Sequence, residues 1–283
     1  MSNQGRPDFS KIVAERAAQL HQHILALPAD QQATFKSDPS ALSTAIDTYA
    51  RENGVPMLFG PAKFAQATIA LSEQNPPPKV LIEFGAYVGY SALRWAALLE
   101  QLSGTPNIHV YTFELDPANA QIARDFAAAA GRSHQITVFD GPGDVSLKKL
   151  VAEGTIAQGG VDVVFIDHWE QRYVPDLQLT EELGVLHVGS LVVADNTDFP
   201  GAPDYRAYVQ AGGSGKPGAV KFETKSYEAD YSTEPPRRSA WGPGGGPGGP
   251  GGQGQGGPGG PGGPGGRRRP QIVEVTKVVS LGA

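Results

Sequence analysis

Short apolar runs alternate with amphipathic stretches along most of the chain after residue 79. The runs are KVLIEFG, IHVYTFE, QITVFD, VDVVFID and SLVVAD, and each precedes a stretch with helical spacing, such as SALRWAALLEQL after the first. Five strand-then-helix units in series are typical of a parallel sheet that is covered by helices on both faces. We therefore predict an α/β fold built on a mostly parallel sheet.

The segments before and after these units have other patterns. Between about residues 8 and 72 apolar residues recur every three or four positions, as in FSKIVAERAAQLHQHILAL, which predicts helices. Two late segments, AVKFETKSY and QIVEVTKVVSL, alternate by twos and predict an antiparallel hairpin at the sheet edge. We predict an N-terminal helical cap at 1–76 and a sheet domain at 77–283.

A tract made only of Gly, Pro and Gln separates the two late segments, at residues 242–266. Such a composition cannot bury a core, so we expect a disordered insertion in the hairpin loop. Loop-closure entropy rises slowly with length, which makes an insertion of this kind tolerable. Arginines flank the tract, and a weak contact with RNA is the alternative to a solvated spacer.

Composition excludes several classes of function. The net charge of −6 and the pI near 5.5 argue against nucleic acid as a partner. The chain contains no cysteine, which rules out disulfides, thiolate nucleophiles and cysteine-bound metals. No run of about 18 apolar residues and no apolar signal core is present, so we expect a cytoplasmic protein without a membrane partner.

Acidic side chains stand at the ends of four predicted strands. Glu83 closes the first, Glu114 the second, Asp167 the fourth, and Asp195 with Asn196 the fifth. Taken alone, the charges after VVFI could be solvated loop residues that follow a strand. In an open parallel sheet, however, ligands bind outside the carboxyl ends of the strands. Four acids and an amide exceed what solvated loops need, and they indicate a binding site.

The first two strand ends point to a nucleoside ligand. The turn GAYVGYS at 85–91 lacks the G-x-G-x-x-G spacing of a dinucleotide binder, so no pyrophosphate cradle is indicated. Glu114 stands where an acid can accept hydrogen bonds from both hydroxyls of a ribose. Among nucleoside ligands without a phosphate loop, S-adenosylmethionine is the common one.

The fourth and fifth strand ends suggest a metal site. Neighbouring strands would bring together Asp167, Asp195 and Asn196, whose oxygens suit Mg²⁺ better than Zn²⁺. Alternatively, Asp195 and Asn196 form only a turn. We interpret His168 as a packing or hydrogen-bonding neighbour, and Trp169 either stacks on a flat ligand or lies in the core.

Five segments together resemble the catechol O-methyltransferase family. They are AIDTYARENGVPM, VLIEFGAYVGYSALRWA, YTFELDPANA, VDVVFIDHWEQRYVPD and VVADNTDFPGAPDY, in order between about residues 45 and 209. The resemblance implies a Rossmann-like seven-stranded sheet whose last strand is antiparallel. It also implies S-adenosylmethionine as methyl donor and Mg²⁺ as a required ion.

The resemblance also implies site residues. The implied metal ligands are again Asp167, Asp195 and Asn196. The implied substrate contacts are Asn196, Pro200 and Glu234, and Glu228 is the second candidate for the role of Glu234. Residues 83, 87 and 91 match positions at the methionine end of the cofactor, residue 114 matches the ribose-binding acid, and residues 141–144 match the adenine contacts. The full set of implied cofactor contacts is Met57, Phe59, Glu83, Gly85, Tyr87, Ser91, Glu114, Leu115, Gly141, Gly143, Asp144, Asp167, His168 and Trp169.

The chain departs from the family pattern at three places. The sequence GPGD at 141–144 differs from the usual small-Ser-Gln pattern. Val55 replaces a tryptophan of the catechol slot, which would widen it. Glu170 stands where animal members place the lysine that acts as general base, so we assign the catalytic role to Glu170.

We therefore predict a Mg²⁺-dependent, S-adenosylmethionine-dependent O-methyltransferase of the catechol type, acting as a monomer on a small molecule. Two alternatives stay open at this stage. One is an O-methyltransferase for other vicinal-diol phenolics. The other is a catalytically impaired cofactor-binding protein that serves as an interaction module.

Overall fold

A computed structural model describes residues 9–38, 40–232, 234 and 271–282. The predicted insertion at 242–266 lies outside the described residues. Within those ranges the helices are α1 Phe9–Leu25, α2 Ala29–Ser37, α3 Ala41–Asn53, α4 Pro61–Ser72, α5 Tyr90–Ser103, α6 Pro117–Ala129, α7 Gly143–Ala152, α8 Tyr173–Glu182 and α9 Pro203–Gln210. The strands are β1 Val80–Phe84, β2 His109–Glu114, β3 Ile136–Asp140, β4 Val161–Ile166, β5 Leu186–Ala194, β6 Lys221–Glu228 and β7 Ile272–Ser280.

All seven strands form one sheet in the order β3-β2-β1-β4-β5-β7-β6. The first five are parallel, and β7 runs antiparallel to both of its neighbours, β5 and β6. The last strand therefore inserts between β5 and the edge strand β6. This arrangement confirms the predicted fold class, including the antiparallel hairpin.

Alternate residues of each inner strand face opposite layers of helices. In β4, Val163 and Phe165 pack with α1–α6, whereas Val164 and Ile166 pack with α7, α8 and α9. Both faces are buried, which explains why the strands read as continuous apolar runs rather than as alternating ones. Trp95 of α5 is fully buried under the first layer.

The four N-terminal helices contribute to the same hydrophobic cluster as one face of the sheet. Leu20 of α1, Ile46 of α3 and Leu71 of α4 are fully buried in it. Helix α3 ends at Gly54, whose φ of 69° is the left-handed conformation that glycine adopts without strain. The division of the chain at residue 76 stays a prediction.

The described helices include none that is both long and apolar enough to cross a membrane.

Candidate active site

Backbone hydrogen bonds carry the strand ladder one residue beyond the ends of β4 and β5. The amide of Asp167 donates to the carbonyl of Phe84 at 3.0 Å, and the amide of Asp195 donates to Ile166 at 3.1 Å. Strand pairing thus aligns the chain of Asp167 with that of Asp195. The predicted metal-binding residues are brought together at the carboxyl edge of the sheet.

The side chains of this cluster are in contact with one another. Asn196, held at a φ of 55°, donates through Nδ2 to Oδ1 of Asp167 at 3.3 Å. Asp195 is 2% exposed, and its Oδ1 is buried without a hydrogen-bond partner. The Tyr173 hydroxyl donates to the Asp195 carbonyl at 3.0 Å, which fixes the backbone there. An unpartnered buried carboxylate oxygen is costly, so Oδ1 of Asp195 is an acceptor that a cation or a hydrogen-bond donor could satisfy.

A lysine that the sequence analysis did not identify lies inside this cluster. Nζ of Lys63, in the first turn of α4, is 2.7 Å from Oδ2 of Asp195 and 3.1 Å from Oδ1 of Asn196. Lys63 is only 6% exposed. The available signal was that Lys63 is the one charged residue in the stretch PAKFAQATIA, because an isolated cation on a buried helix face needs an anionic partner.

The electrostatics of the cluster are those of crowded carboxylates. Burial, and then the neighbouring Asp195 carboxylate, raise the pKa of Asp167 well above its usual range, although part of the Asp167 side chain stays exposed. Lys63 opposes this rise in pKa, whereas Glu83 and Glu170 add to it. Glu170 therefore lies close enough for its charge to act on the cluster.

The donor set fits a hard divalent cation. No group of three or more His, Cys, Asp or Glu side chains that could hold a metal occurs among the described residues. The cluster instead offers two carboxylates and one amide oxygen, a set that leaves room for water and substrate oxygens around Mg²⁺. The unpartnered Oδ1 of Asp195 is an oxygen that such an ion would satisfy.

His168 is positioned by packing and by a carboxylate. Its ring stacks between Phe84 and Tyr173, with centroid distances of 5.7 and 5.5 Å. Its Nε2 lies 2.7 Å from Oδ2 of Asp176, whose other oxygen accepts from Arg172 at 2.8 Å. His168 thus anchors the loop that carries Trp169, whose side chain is 73% exposed.

The first turn requires glycine at 85. A Cβ there would lie 2.4 Å from the carbonyl oxygen of Asp167, and φ is 102°. After this turn, the amide of Tyr87 donates to Oε2 of Glu114 at 2.7 Å, and the amide of Asp116 donates to Oε1 at 3.0 Å. A carboxylate has about four acceptor sites, so Glu114 keeps capacity for the ribose hydroxyls that the resemblance implies.

Glu83 is a buried acid without a hydrogen bond of ordinary geometry. It is fully buried, and neither carboxylate oxygen has a partner. Burial raises its pKa to about 7, a rise that the nearby hydroxyls of Ser91 and Thr112 oppose. No positively charged side chain of the described residues is paired with this carboxylate, and its place beside the methionine end of a cofactor stays a prediction.

The loop after β3 also depends on glycine. A Cβ on Gly143 would lie 2.7 Å from the ring of Phe84, so α7 can approach β1 only with glycine there. Asp144, the next residue, lies 3.9 Å from both Lys148 and Arg172. Gly141 donates its amide to the Glu114 carbonyl at 2.8 Å, which joins this loop to the end of β2.

Large apolar side chains are exposed along the same edge. Five large apolar residues in the segments after the strand ends and in the loop before α4 are more than half exposed. They are Met57, Leu115, Val145, Trp169 and Phe199. Exposed apolar side chains that form one patch are typical of ligand surfaces, which is why these residues are candidates for one. Phe59 differs, because it is 1% exposed and packs on Phe165 with a centroid distance of 4.8 Å. Its side chain belongs to the core.

On the substrate side, Glu234 reaches the helix that carries Lys63. Its Oε1 accepts from the amide of Ala62 at 2.8 Å, at the N-terminus of α4. Glu228 is the last residue of β6 and is exposed. Glu234 thus contacts the first turn of the helix that carries Lys63, and the choice between Glu234 and Glu228 as a substrate residue stays a prediction. Pro200 lies in the turn after β5 beside the exposed Phe199.

A groove of about 310 Å³ lies elsewhere, between the end of α4 and strands β5–β7. Leu191, Glu223 and Lys277 are among its lining residues, and none of the predicted site residues lines it. This groove is therefore separate from the cluster of predicted residues at the carboxyl edge of the sheet.

A family model for O-methyltransferases matches residues 41–204, more than half of the chain. The chain belongs to the O-methyltransferase family. It is 36% identical over 213 residues to the catechol O-methyltransferase of Bos taurus, covering 75% of this chain and 70% of that one. It is 35% identical over 199 residues to the catechol O-methyltransferase of Mus musculus, covering 70% and 69%.

A solved O-methyltransferase from Bacillus cereus, in complex with SAH, is similar in fold, with a TM-score of 0.51. It is 15% identical, and the match covers 92% of this methyltransferase and 96% of that chain. The family match confirms the predicted class, a S-adenosylmethionine-dependent O-methyltransferase. The individual cofactor, metal and substrate residues stay predictions.

Replacing Glu114 by alanine should weaken binding of S-adenosylmethionine by roughly 10- to 100-fold, the scale of hydrogen bonds to a charged group. Calorimetric titration measures this, with Glu153→Ala, an exposed acid at the end of α7, as control. Because Glu114 also accepts from the Tyr87 amide, thermal unfolding should be recorded alongside. An unchanged affinity of the variant for S-adenosylmethionine would show that Glu114 does not bind the ribose.

Glu83→Gln should stabilise the cofactor-free protein at pH 8. The pKa of Glu83 is raised to about 7 in the folded state, so the wild type loses stability as the pH rises from 4.5 to 7 and this acid ionises. The variant avoids that loss, so its free energy of unfolding should exceed that of the wild type by about 3 kcal/mol at pH 8 and by little at pH 4.5. Urea unfolding at both values measures the difference. An equal difference in the free energy of unfolding at both pH values would contradict the raised pKa of Glu83.

Proposed function

We propose that this methyltransferase transfers a methyl group from S-adenosylmethionine to one hydroxyl of a catechol chelated to Mg²⁺. The observation that carries the proposal is the cluster of Asp167, Asp195 and Asn196 with the unpartnered Asp195 oxygen. The exposed Trp169 beside it offers a flat apolar surface. The named activity of the bovine and mouse relatives supports the choice of catechol.

In this proposal Asp167, Asp195 and Asn196 hold the metal. When bound, Mg²⁺ would orient the two hydroxyls and lower the pKa of one of them. The chain's own contribution is to keep the ligand oxygens in register through the β4–β5 pairing and the Tyr173 hydrogen bond. Trp169 and Phe199 are both more than half exposed, and in this proposal they would shield the reacting atoms from water once substrate is bound.

Glu170 is the proposed general base. It begins the short 3₁₀ turn after Trp169, three residues beyond Asp167. Burial is the main cause of the raised pKa values of Asp167 and Tyr173, and the negative charge of Glu170 adds to both. A carboxylate is a weaker base than a lysine amine. This is sufficient where the metal already makes the phenol more acidic.

The alternatives are less well supported. Val55 is 4% exposed and packs in the core, so it adds little surface to a pocket wall and does not argue for a larger substrate. An impaired interaction module would have no need for a cation-binding cluster with an unpartnered carboxylate oxygen. A cytoplasmic location and a monomeric state remain predictions.

Methylation of a catechol should depend on a divalent ion. Removing metal with a chelator should lower turnover by about 10²-fold or more, because the diol is then neither oriented nor acidified. The assay measures methyl transfer from S-adenosylmethionine to a catechol panel, with excess MgCl₂ as the restoring control. Full turnover in chelator would refute the metal assignment. Metal-dependent turnover of other phenols alone would refute the catechol assignment.

Glu170→Gln should lower kcat by about 10²-fold, the low end for loss of a general base. Glu170→Lys should keep activity, with the acid limb of its pH profile moved upward because a lysine must lose its proton to act. Rates against pH at saturating Mg²⁺ compare the three proteins. Wild-type rates for Glu170→Gln across the range would make Glu170 a bystander.

A further inference from the structure

The ammonium group of Lys63 contacts two of the residues that are proposed to bind the metal. Its Nζ donates to a predicted ligand, Asn196 Oδ1, at 3.1 Å and to Asp195 Oδ2 at 2.7 Å. All three side chains belong to the buried or partly buried cluster at the carboxyl edge. In the metal-free protein this ammonium is the positive charge that faces the carboxylates of the cluster.

The fold holds Lys63 in this place. Helix α4 begins two residues earlier at Pro61, and Glu234 accepts from the amide of Ala62 at its N-terminus. Phe64, the next residue, packs on Trp95 with a centroid distance of 4.7 Å and carries the Arg94 guanidinium over its ring at 3.9 Å. The position of Lys63 is therefore set by helix packing and not by a flexible loop.

Asp195 divides its two oxygens between different directions. Oδ2 is taken by Lys63, whereas Oδ1 is buried and has no partner. Asn196 has only one side-chain oxygen, Oδ1, which accepts from Lys63, and its Nδ2 donates to Asp167. A divalent ion that takes Asn196 as a ligand thus meets a second positive charge on the same oxygen. Two cations that share one amide oxygen at low dielectric repel strongly.

We propose that Lys63 is a resident cation that holds the ligand set together without metal, and that an incoming divalent ion displaces it from Asn196. This inference rests on the proposed metal site. Lys63 is a positioning residue, since it acts through the ligands. Its ammonium makes the metal-free protein more stable and the metal weaker in binding than the ligands alone would allow.

The test compares Mg²⁺ affinity by calorimetry in the wild type, Lys63→Gln and Lys63→Arg, without substrate. Glutamine keeps a donor for Asp195 and removes the charge, whereas arginine keeps the charge. Lys63→Gln should bind Mg²⁺ about tenfold more tightly or better, and Lys63→Arg should resemble the wild type. Affinity in Lys63→Gln equal to or weaker than wild type would overturn the inference.

Thermal unfolding gives a second readout. Without metal, Lys63→Gln should unfold about 5–15 °C lower than wild type, because buried carboxylates lose their counter-charge, and saturating Mg²⁺ should remove most of that difference. A difference that persists in full with Mg²⁺ would show a purely structural role and overturn the inference.

The unmodified chain keeps the inference falsifiable if the glutamine variant does not fold. Crystals grown with chelator should show Lys63 Nζ within hydrogen-bond distance of Asn196 Oδ1, and crystals grown with MgCl₂ should show that contact broken. An unchanged contact with bound metal would refute displacement.

The outcomes separate this inference from the proposed function. A wild type that binds Mg²⁺ with no gain in Lys63→Gln refutes the role of Lys63 alone. A wild type that binds Mg²⁺ less tightly than Lys63→Gln, but methylates a catechol equally well in excess chelator, refutes the metal-dependent function alone. Absence of binding in both proteins refutes both.

Discussion

The burial of several carboxylates at one edge of a parallel sheet is the constraint on which the site depends. Asp167 and Asp195 follow adjacent strands whose backbone ladder runs one residue past their ends, so strand pairing itself forces the two together. Two carboxylates that are forced together in a buried site are tolerated only with a positive partner or with a bound proton. Lys63 supplies that partner from the helical layer, which couples the packing of α4 to the chemistry of the sheet edge.

Close backbone approach is the second requirement, and glycine meets it at two loops. Gly85 lets the first turn pass against the carbonyl of Asp167, and Gly143 lets α7 begin against the ring of Phe84. These contacts bring the turn after β1 and the loop after β3 to the same edge as Trp169. The cofactor residues implied by the resemblance are thereby gathered from loops that lie far apart in sequence.

Most of the fold could be predicted from the sequence, because each buried strand is an apolar run and the covering helices have apolar residues at every third or fourth position. The proximity of Asp167 and Asp195 could be anticipated from strand order alone, because they follow the paired residues Ile166 and Ala194. A lone lysine in α4 indicates that an anionic partner is needed, but it cannot identify Asp195 and Asn196 as the partners, since that depends on how α4 packs across the sheet. The same holds for Phe59 and Val55, whose side chains the fold places in the core. Glu234 is held at the start of α4 by a contact 172 residues away along the chain, which periodicity cannot reveal.

The charges of the site explain why an acid is tolerable where animal relatives are expected to carry a lysine. Among the charges that act on the pKa of Asp167, those of Asp195, Glu83 and Glu170 are negative and that of Lys63 is positive. With Asp167 itself, the group therefore comprises four carboxylates and one ammonium. When all are ionised the group carries three negative charges in excess. A divalent ion and a sulfonium cofactor together bring three positive charges, so the loaded site would be neutral before the substrate loses its proton. A second lysine in place of Glu170 would shift that balance by two units. The glutamate at 170 and the buried ammonium of Lys63 are therefore best understood together, as one distribution of charge around the same ligands.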